Sequence, residues 1–519
     1  MGNLKMYYKA MFSVVSIESV AFAVLCFVSV FWTSDSMLDS DIINKWTVFL
    51  LLLCVVSVVL LSKVVITGNL KCNFRVFINI IICISTIQVL YLISQKLFIN
   101  NTHIYLLGSF HNHSGFSACL CLALPYIYWK IGYSDNNKII LLNVVLAVLY
   151  GYAIILSGSR IGIIVFFTIP IIIFFTSKKR CGIFVKISAL ISISITILVL
   201  YYLRPESANG RVLIWLSSLE AFKEAPWFGH GQDFFQRLYM FYQARYLQLN
   251  PDSKFVMLAD TVQFPFNEYV RVILNWGLVG FCLIIFAAIW FYKKYVVEFN
   301  EISLTVATIA ILSLTSYPFS YPFTWIVVCF SLLYAYGKHS FCFNKKIKSI
   351  AVLIIIFAIV NVNHIYSNYK MQCMWHFADK TNDIDAYDRL YVHLKENPYF
   401  LYNYSIRLFI IGDILNSKKI ALECRKKYAD YDLELLIGDI YFKENNYDEA
   451  LNHYNLCSNM CPCRFIPIYQ KFLVSIKTNN KIQASLLAHE IIEKQIKIPS
   501  QTITMIKMQA ENYLKAKEI

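Results

Sequence analysis

Apolar runs close to the ~20 residues that a helix needs to cross a bilayer recur through the first 366 residues. They fall at 11–32, 46–66, 74–94, 115–132, 139–156, 161–176, 183–203, 269–292, 302–319, 321–337 and 347–365. In hydrocarbon every backbone N–H and C=O has to be satisfied within its own segment, so an isolated run of this length folds as a helix. The pattern predicts an all-α fold, a polytopic membrane helix bundle of about 11 spans. Charged residues make up 15% of the chain, against about 25% in soluble proteins. That deficit lies in 1–366, whereas 367–519 read as an ordinary soluble helical sequence. The first run follows Lys5 and Lys9 and is too long for a signal-peptide core, which makes it an uncleaved anchor.

The net charge of +15 would suit nucleic acid or anionic lipid, but its placement gives another reason. With the N-terminus inside, the short cytoplasmic segments hold Lys5, Lys9, Lys63, Lys71, Arg75, Lys130, Lys138, Lys178, Lys179, Arg180, Lys186, Lys293, Lys294, Lys338, Lys345, Lys346 and Lys348. The opposite short loops hold Lys45, Lys96 and Arg160. Such a bias is the positive-inside signature and fixes the orientation, and no nucleic-acid partner is expected. An odd number of spans places 367–519 on the non-cytoplasmic side.

One outer loop, about 204–268, is far longer than the others. Val212, Trp215, Leu216, Leu219 and Phe222 recur at helical spacing and end before Pro226. After Phe228-Gly229-His230-Gly231 comes a second, aromatic-rich helix carrying Phe234, Phe235, Leu238, Tyr239, Tyr242 and Tyr246. Such a pair is expected along the membrane interface. In the tail, Ile437, Gly438, Tyr441, Ala450, Tyr454, Cys457 and Pro462 fit the 34-residue tetratricopeptide spacing, with Ala421 and Ala484 as the small residues of flanking repeats. Stacked helix pairs of this kind make binding surfaces, so 367–519 reads as a TPR-like interaction domain; a plain helical domain is the bland alternative.

Few residues offer chemistry. Arg160 lies in the tight outer turn Ser157-Gly158-Ser159-Arg160, where it is an anion contact or an interfacial anchor. Arg211 opens the first loop helix, just after Asn209-Gly210, and reads as an exposed-turn arginine. Glu268, Arg271 and Asn275 share one helix face: Glu268 would accept a proton and Arg271 hold an anion, or the two simply pair. His111-Asn112-His113 is a weak metal pattern. His453, Cys457, Cys461 and Cys463 make an equally weak zinc pattern, since Cys457 already fills a packing position of the repeat. Asp39 and Asp41 would cap a helix more readily than hold a metal. Glu18 is the clearest charge within a span. Neither a Walker A motif nor a Rossmann glycine pattern is present, so cytoplasmic nucleotides are not the expected energy source.

The outer segments together resemble the O-antigen ligase and polymerase superfamily over about 105–285. Gly108-Ser109-Phe110-His111-Asn112 resembles its Gly-x-Phe-x-Asn element, and Ser157–Arg160 its Ser-Arg turn. Gly210-Arg211-Val212-Leu213-Ile214-Trp215 with Pro226-Trp227-Phe228-Gly229-His230-Gly231 resembles its central G-R-x-x-x-W…P-x-x-G-x-G core. Phe266-Asn267-Glu268-Tyr269 and Trp276-Gly277-Leu278-Val279-Gly280 resemble its His-Asn-x-x…G-x-x-G segment.

The resemblance implies a glycosyltransferase active at the periplasmic face. Its donor would be an undecaprenyl-diphosphate-linked glycan and its acceptor a hydroxyl of a glycan, lipid or protein, with no metal and no cofactor. Arg160 and Arg211 match the arginines that hold the pyrophosphate. One departure stands out: Phe266 occupies the histidine position, which leaves Glu268, or His230, to serve as base. Arg271, His230, Asn267 and Asn112 complete the expected substrate contacts. Lipid A-core ligation in lipopolysaccharide biosynthesis, repeat-unit polymerisation and protein O-glycosylation all stay open. A polysaccharide transporter or flippase, or a non-catalytic scaffold working through its tail, is the rival of another class. The expected organisation is a ligase-like transmembrane domain at 1–366 and a periplasmic helical domain at 367–519.

Overall fold

A computed structural model describes residues 16–38, 42–98, 106–176, 194, 199, 201–202, 205–296, 299–337 and 340–518. Expectations resting on Lys5, Lys9, Asp39, Asp41, Lys178, Lys179, Arg180, Lys186, Lys338 and most of the run 183–203 lie outside them. The fold is all-α: twenty α-helices among the described residues, with one antiparallel ribbon pairing Asn69–Lys71 with Ser340–Cys342. Ten of the eleven apolar runs coincide with helices. Five helices are long and apolar enough to cross a membrane: Ile42–Thr67, Phe74–Phe98, Asn137–Leu156, Glu268–Tyr295 and Lys345–Thr381. Ile17–Phe31, Arg160–Thr176, Glu301–Thr315 and Pro322–Ala335 are shorter apolar helices.

The chain divides into two compact units. The first comprises the described residues up to Leu200 together with Phe286–Phe377. At its centre is helix His113–Tyr133, buried at every position from Gly115 to Ile127 and packed by Phe74–Phe98, Asn137–Leu156, Arg160–Thr176, Glu301–Thr315 and Pro322–Ala335. A helix shielded by its neighbours needs no lipid-facing apolar surface, so it tolerates His113, Ser114 and Ser117. Two charges differ from their sequence reading. Lys45 is no loop residue: it lies in the first turn of Ile42–Thr67, fully buried, with Nζ donating to Ser109 O at 3.1 Å. Glu18 is not isolated at mid-span: it sits in the first described turn of Ile17–Phe31 and pairs with Lys63 at 2.7 Å.

The second unit comprises Tyr201–Ile285 and Ala378–Ile519, so the large loop folds with the tail. Ile214, Ala221, Phe234, Phe235, Tyr239, Met240 and Ala244 of the loop share one core with Ala429, Tyr431, Cys457, Met460 and Cys461 of the tail. Burial of a large apolar side chain stabilises by roughly 1.5–3 kcal/mol. Phe234, Tyr239, Met240, Tyr431 and Met460, each at most 1% exposed, therefore contribute on the order of 10 kcal/mol gross, comparable to a domain's net stability. Gln243, fully buried, ties the two parts by donating to Asp260 O at 3.0 Å and Met460 O at 2.9 Å. A shared core also means that loop and tail occupy the same side of the membrane, whatever the number of spans.

The tail is built from helix pairs. Pro398–Ile411, Tyr431–Lys443 and Ile466–Lys477 begin at 398, 431 and 466, that is 33 and 35 residues apart. Each is followed by a partner, Ile414–Arg425, Tyr447–Met460 or Lys481–Glu493. Asn397, Asp413, Asp430, Asn446 and Asn480 start helices by accepting first-turn N–H groups, each cap adding about 1 kcal/mol. Gly438 admits the Tyr454 ring to 2.6 Å from where a Cβ would stand. One repeat position is corrected. Ser417, not Ala421, is fourth in its helix like Ala450 and Ala484, and its Oγ donates to Ser405 O at 2.8 Å.

Truncation after Phe377 removes the tail's five buried residues from the core shared with the loop. The expected outcome is rapid limited proteolysis within 205–265 in the truncated protein and protection of that segment in the whole chain.

Candidate functional site

Arg211 is not in a turn. Helix Pro205–Glu224 begins before it and carries it through Asn209-Gly210, so that Arg211 and Trp215, four residues apart, lie on one helix face. Both address the same bend. Trp215 Nε1 donates to Pro265 O at 3.0 Å, and the Arg211 guanidinium stands over the Phe266 ring at 5.3 Å. Phe266 itself has φ 50°, a left-handed conformation that is unusual for a bulky residue and costs of order 1–3 kcal/mol. The next residue locks the bend: Asn267 Oδ1 accepts from Tyr269 N at 2.9 Å and Val270 N at 3.1 Å, starting helix Glu268–Tyr295.

That helix kinks at Gly277, with φ 64° and ψ −170°, and the kink receives the Pro226–Gly231 turn. Leu278 N donates to Pro226 O (2.9 Å), Val279 N to Trp227 O (3.1 Å), His230 N to Leu274 O (2.9 Å) and Gly231 N to Asn275 O (3.0 Å). A Cβ on Gly277 would stand 2.2 Å from Trp227 O, and one on Gly229 would stand 2.6 Å from Asn275 C. The P-x-x-G-x-G and G-x-x-G elements are thus two halves of one backbone clamp. Its role is to hold helix Pro205–Glu224 and residues 266–271 in register.

Arg211, Phe266, Ser207, Gly210, Gln243 and Asp260 line a cavity of about 170 Å³ together with Leu213, Ile214, Leu258 and Val262. Ligand pockets for whole small molecules run from about 300 Å³ upward, so this one has room for a headgroup such as phosphate, with the rest of a ligand outside. A guanidinium is planar and charged, and its fork of donors matches the geometry of an oxyanion.

The other sequence candidates divide. Glu268 is buried and its Oε2 lies 3.5 Å from Arg271 Nη1, so these two pair with each other. His230 stacks on Phe234 and its Nε2 sits 2.7 Å from Ala221 O. A carbonyl only accepts, so Nε2 carries the proton and donates it to Ala221 O, and any base role of His230 would fall to Nδ1. In the first unit, Asn112 caps helix His113–Tyr133 by accepting from Gly115 N at 2.9 Å and donating to the Tyr321 hydroxyl. Arg160 opens helix Arg160–Thr176 just after Gly158 (φ 67°), with Ser159 buried beneath it and His113 Nδ1 2.7 Å from Ser157 O. A guanidinium at the positive end of a helix dipole is favourable when an anion joins it. The motif Gly108–His111 lines a separate cavity of about 550 Å³ with Phe31, Thr33, Tyr91, Gln95 and Leu107.

Among the described residues no group of three or more His, Cys, Asp or Glu is placed to hold a metal. His453 Nδ1 instead lies 2.6 Å from Glu434, which also receives Arg425 at 2.5 Å. Sequence reasoning missed Asp260, Gln243 and Ser207. They reach the Arg211 cavity from three separate stretches, and none belongs to a motif.

Residues 145–285 match the family model described as O-antigen ligase. The match takes in Arg160, Arg211, His230, Asn267, Glu268 and Arg271 and leaves Asn112 outside. No curated protein matches the chain.

Ala at Gly277 or Gly229 should break the clamp and cost more than about 2 kcal/mol, read as a lowered melting temperature of the purified protein. Gly210→Ala, where a Cβ meets nothing within 4 Å, should leave stability unchanged or raise it by about 1 kcal/mol.

Proposed function

We propose that this chain, whose residues 145–285 match the O-antigen ligase family model, transfers a glycan from a lipid diphosphate to an acceptor hydroxyl. The observation that carries this reading is Arg211, held over Phe266 in a headgroup-sized cavity. Arg160, at a helix start in the first unit, is the second arginine that the resemblance assigns to the donor diphosphate. As the bond between sugar and phosphate breaks, negative charge grows on the departing diphosphate. Guanidiniums already in place stabilise that charge without reorganising, an effect commonly worth about 3–4 kcal/mol per donor. A multi-pass bacterial membrane protein with one helix-rich extramembranous unit suits a donor whose lipid stays in the bilayer while its headgroup is drawn out.

The donor we favour is undecaprenyl-diphosphate-linked, used at the periplasmic face, with metal-independent transfer. The tail's helix pairs support a TPR-like role in presenting an acceptor or a protein partner. Ligase chemistry is the first reading; repeat-unit polymerase and protein O-oligosaccharyltransferase use the same donor and the same arginines. The transporter reading loses support from Glu18, which is paired with Lys63.

Arg211→Ala and Arg160→Ala should each lower transfer at least 100-fold with normal membrane abundance, and Lys at either position should restore only part. The measurement is the glycan profile of a deletion strain expressing each variant, covering lipopolysaccharide, capsule and glycoproteins. Transfer at the wild-type level in Arg211→Ala would sink the proposal.

A further inference from the structure

Transfer also needs a group to take the acceptor's proton. Phe266 cannot, and neither Glu268, buried against Arg271, nor His230, whose Nε2 donates to Ala221 O, lines the Arg211 cavity. A different acidic residue does line that cavity. Asp260 forms part of its wall and also part of a second, open cavity of about 410 Å³, bordered by Arg464, Lys497, Ser500 and Thr502 of the tail. Residue Asp260 therefore borders two spaces: the side where Arg211 would hold the donor headgroup, and an open groove in which Arg464, Lys497, Ser500 and Thr502 alternate with Phe465 and four isoleucines, a mixed lining suited to an incoming acceptor.

Its position is fixed by the tail. Arg464 Nη2 donates to Asp260 Oδ1 at 2.7 Å, the Thr261 N–H donates to the same oxygen at 2.9 Å, and buried Gln243 holds Asp260 O at 3.0 Å while holding Met460 O. The Arg464 guanidinium is itself seated on the Tyr431 ring at 4.2 Å. Both partners engage a single carboxylate oxygen, and the side chain is 58% exposed, so Oδ2 is left to face a ligand.

Resting on the transfer reading above, we propose that Asp260 accepts the acceptor's hydroxyl proton and that Arg464, from the tail, is the residue that positions it. In the step, the acceptor oxygen forms its bond to the anomeric carbon as the bond from that carbon to the phosphate oxygen breaks. The electron pair of the broken bond leaves with the lipid diphosphate, where Arg211 receives the charge, and the hydroxyl proton passes to Asp260. The C-terminal helices are then part of the transfer site as well as a platform beside it.

The charged and titratable groups facing Asp260 are Arg464 and Lys497, Asp432 and Cys461, with Arg211 across the cavity. Partial burial pushes the Asp260 carboxyl up; the bond from Arg464, the Thr261 N–H and the charges of Arg464 and Lys497 outweigh it and hold the carboxyl below its usual range. Asp260 is then ionised and able to accept a proton throughout the neutral range. The rate should rise as pH rises through its pKa. Loss of Arg464 raises that pKa and moves the acid limb to higher pH.

The experiment uses the full chain, purified in detergent and added to membranes of the deletion strain, which supply donor and acceptor. Binding of undecaprenyl diphosphate is measured separately. Asp260→Asn should lower transfer 10²–10⁴-fold with undiminished undecaprenyl diphosphate binding and an unchanged melting temperature. Arg464→Met should lower the rate about tenfold and shift the acid limb upward, and Arg464→Lys should recover most of both. Asp260→Asn with more than a third of wild-type transfer, or Glu268→Gln showing the base-loss pattern instead, overturns the assignment. An Arg464→Met rate loss without a limb shift makes Arg464 merely structural. Folded wild-type protein that transfers nothing overturns the transfer reading itself, and this inference with it.

Discussion

The Pro226–Gly231 turn meets helix Glu268–Tyr295 through backbone alone, at Gly277, and the candidate site depends on that contact. Four hydrogen bonds of 2.9–3.1 Å cross it, in a space that a single methyl group would fill. A helix interrupted at Gly277 leaves carbonyls and N–H groups without internal partners, and the turn supplies them. The first turn of the same helix thereby stays beside helix Pro205–Glu224. Phe266 can then be held in an unfavourable conformation beneath Arg211, because Trp215 fixes Pro265 on one side and Asn267 caps the helix on the other. Strain of this kind persists only where its surroundings leave no alternative.

Phenylalanine in place of the family's histidine changes what the bend offers. An imidazole there would give the site a proton acceptor; a benzene ring gives Arg211 a face to rest on, which keeps the guanidinium planar, charged and oriented. On the proposed reading the proton's destination lies elsewhere, and Asp260 belongs to the wall of the same cavity. Its ion pair with Arg464 and the double hydrogen bond from Gln243 make the tail a structural condition of that wall. Tail and loop share one apolar core, so presentation of an acceptor and the chemistry would be coupled through packed side chains.

Periodicity made the helices legible. Runs of about 20 apolar residues specify a helix because the bilayer allows no other backbone solution, and ten of eleven runs coincide with helices. The helix His113–Tyr133 shows where composition misleads: the most enclosed helix is absent from the five that length and hydropathy select, because its neighbours replace the lipid. The repeat spacing is equally legible, yet the small-residue position that it gives to Ala421 is held by Ser417. A serine whose hydroxyl is satisfied by Ser405 O packs as a small residue, and sequence does not show that partner.

By itself the sequence determined the all-α membrane class, the long loop and the order of glycine, arginine and aromatic motifs, since each follows from local period or from short-range backbone demands. Tertiary structure alone decided which of those residues meet. It put Arg211 inside a helix and against Phe266, paired Glu268 with Arg271, spent His230 on a carbonyl and brought Asp260 to the cavity under the grip of Arg464, 204 residues further on. Contacts across such separations are chosen by the packing of a common core, and local sequence carries no record of them.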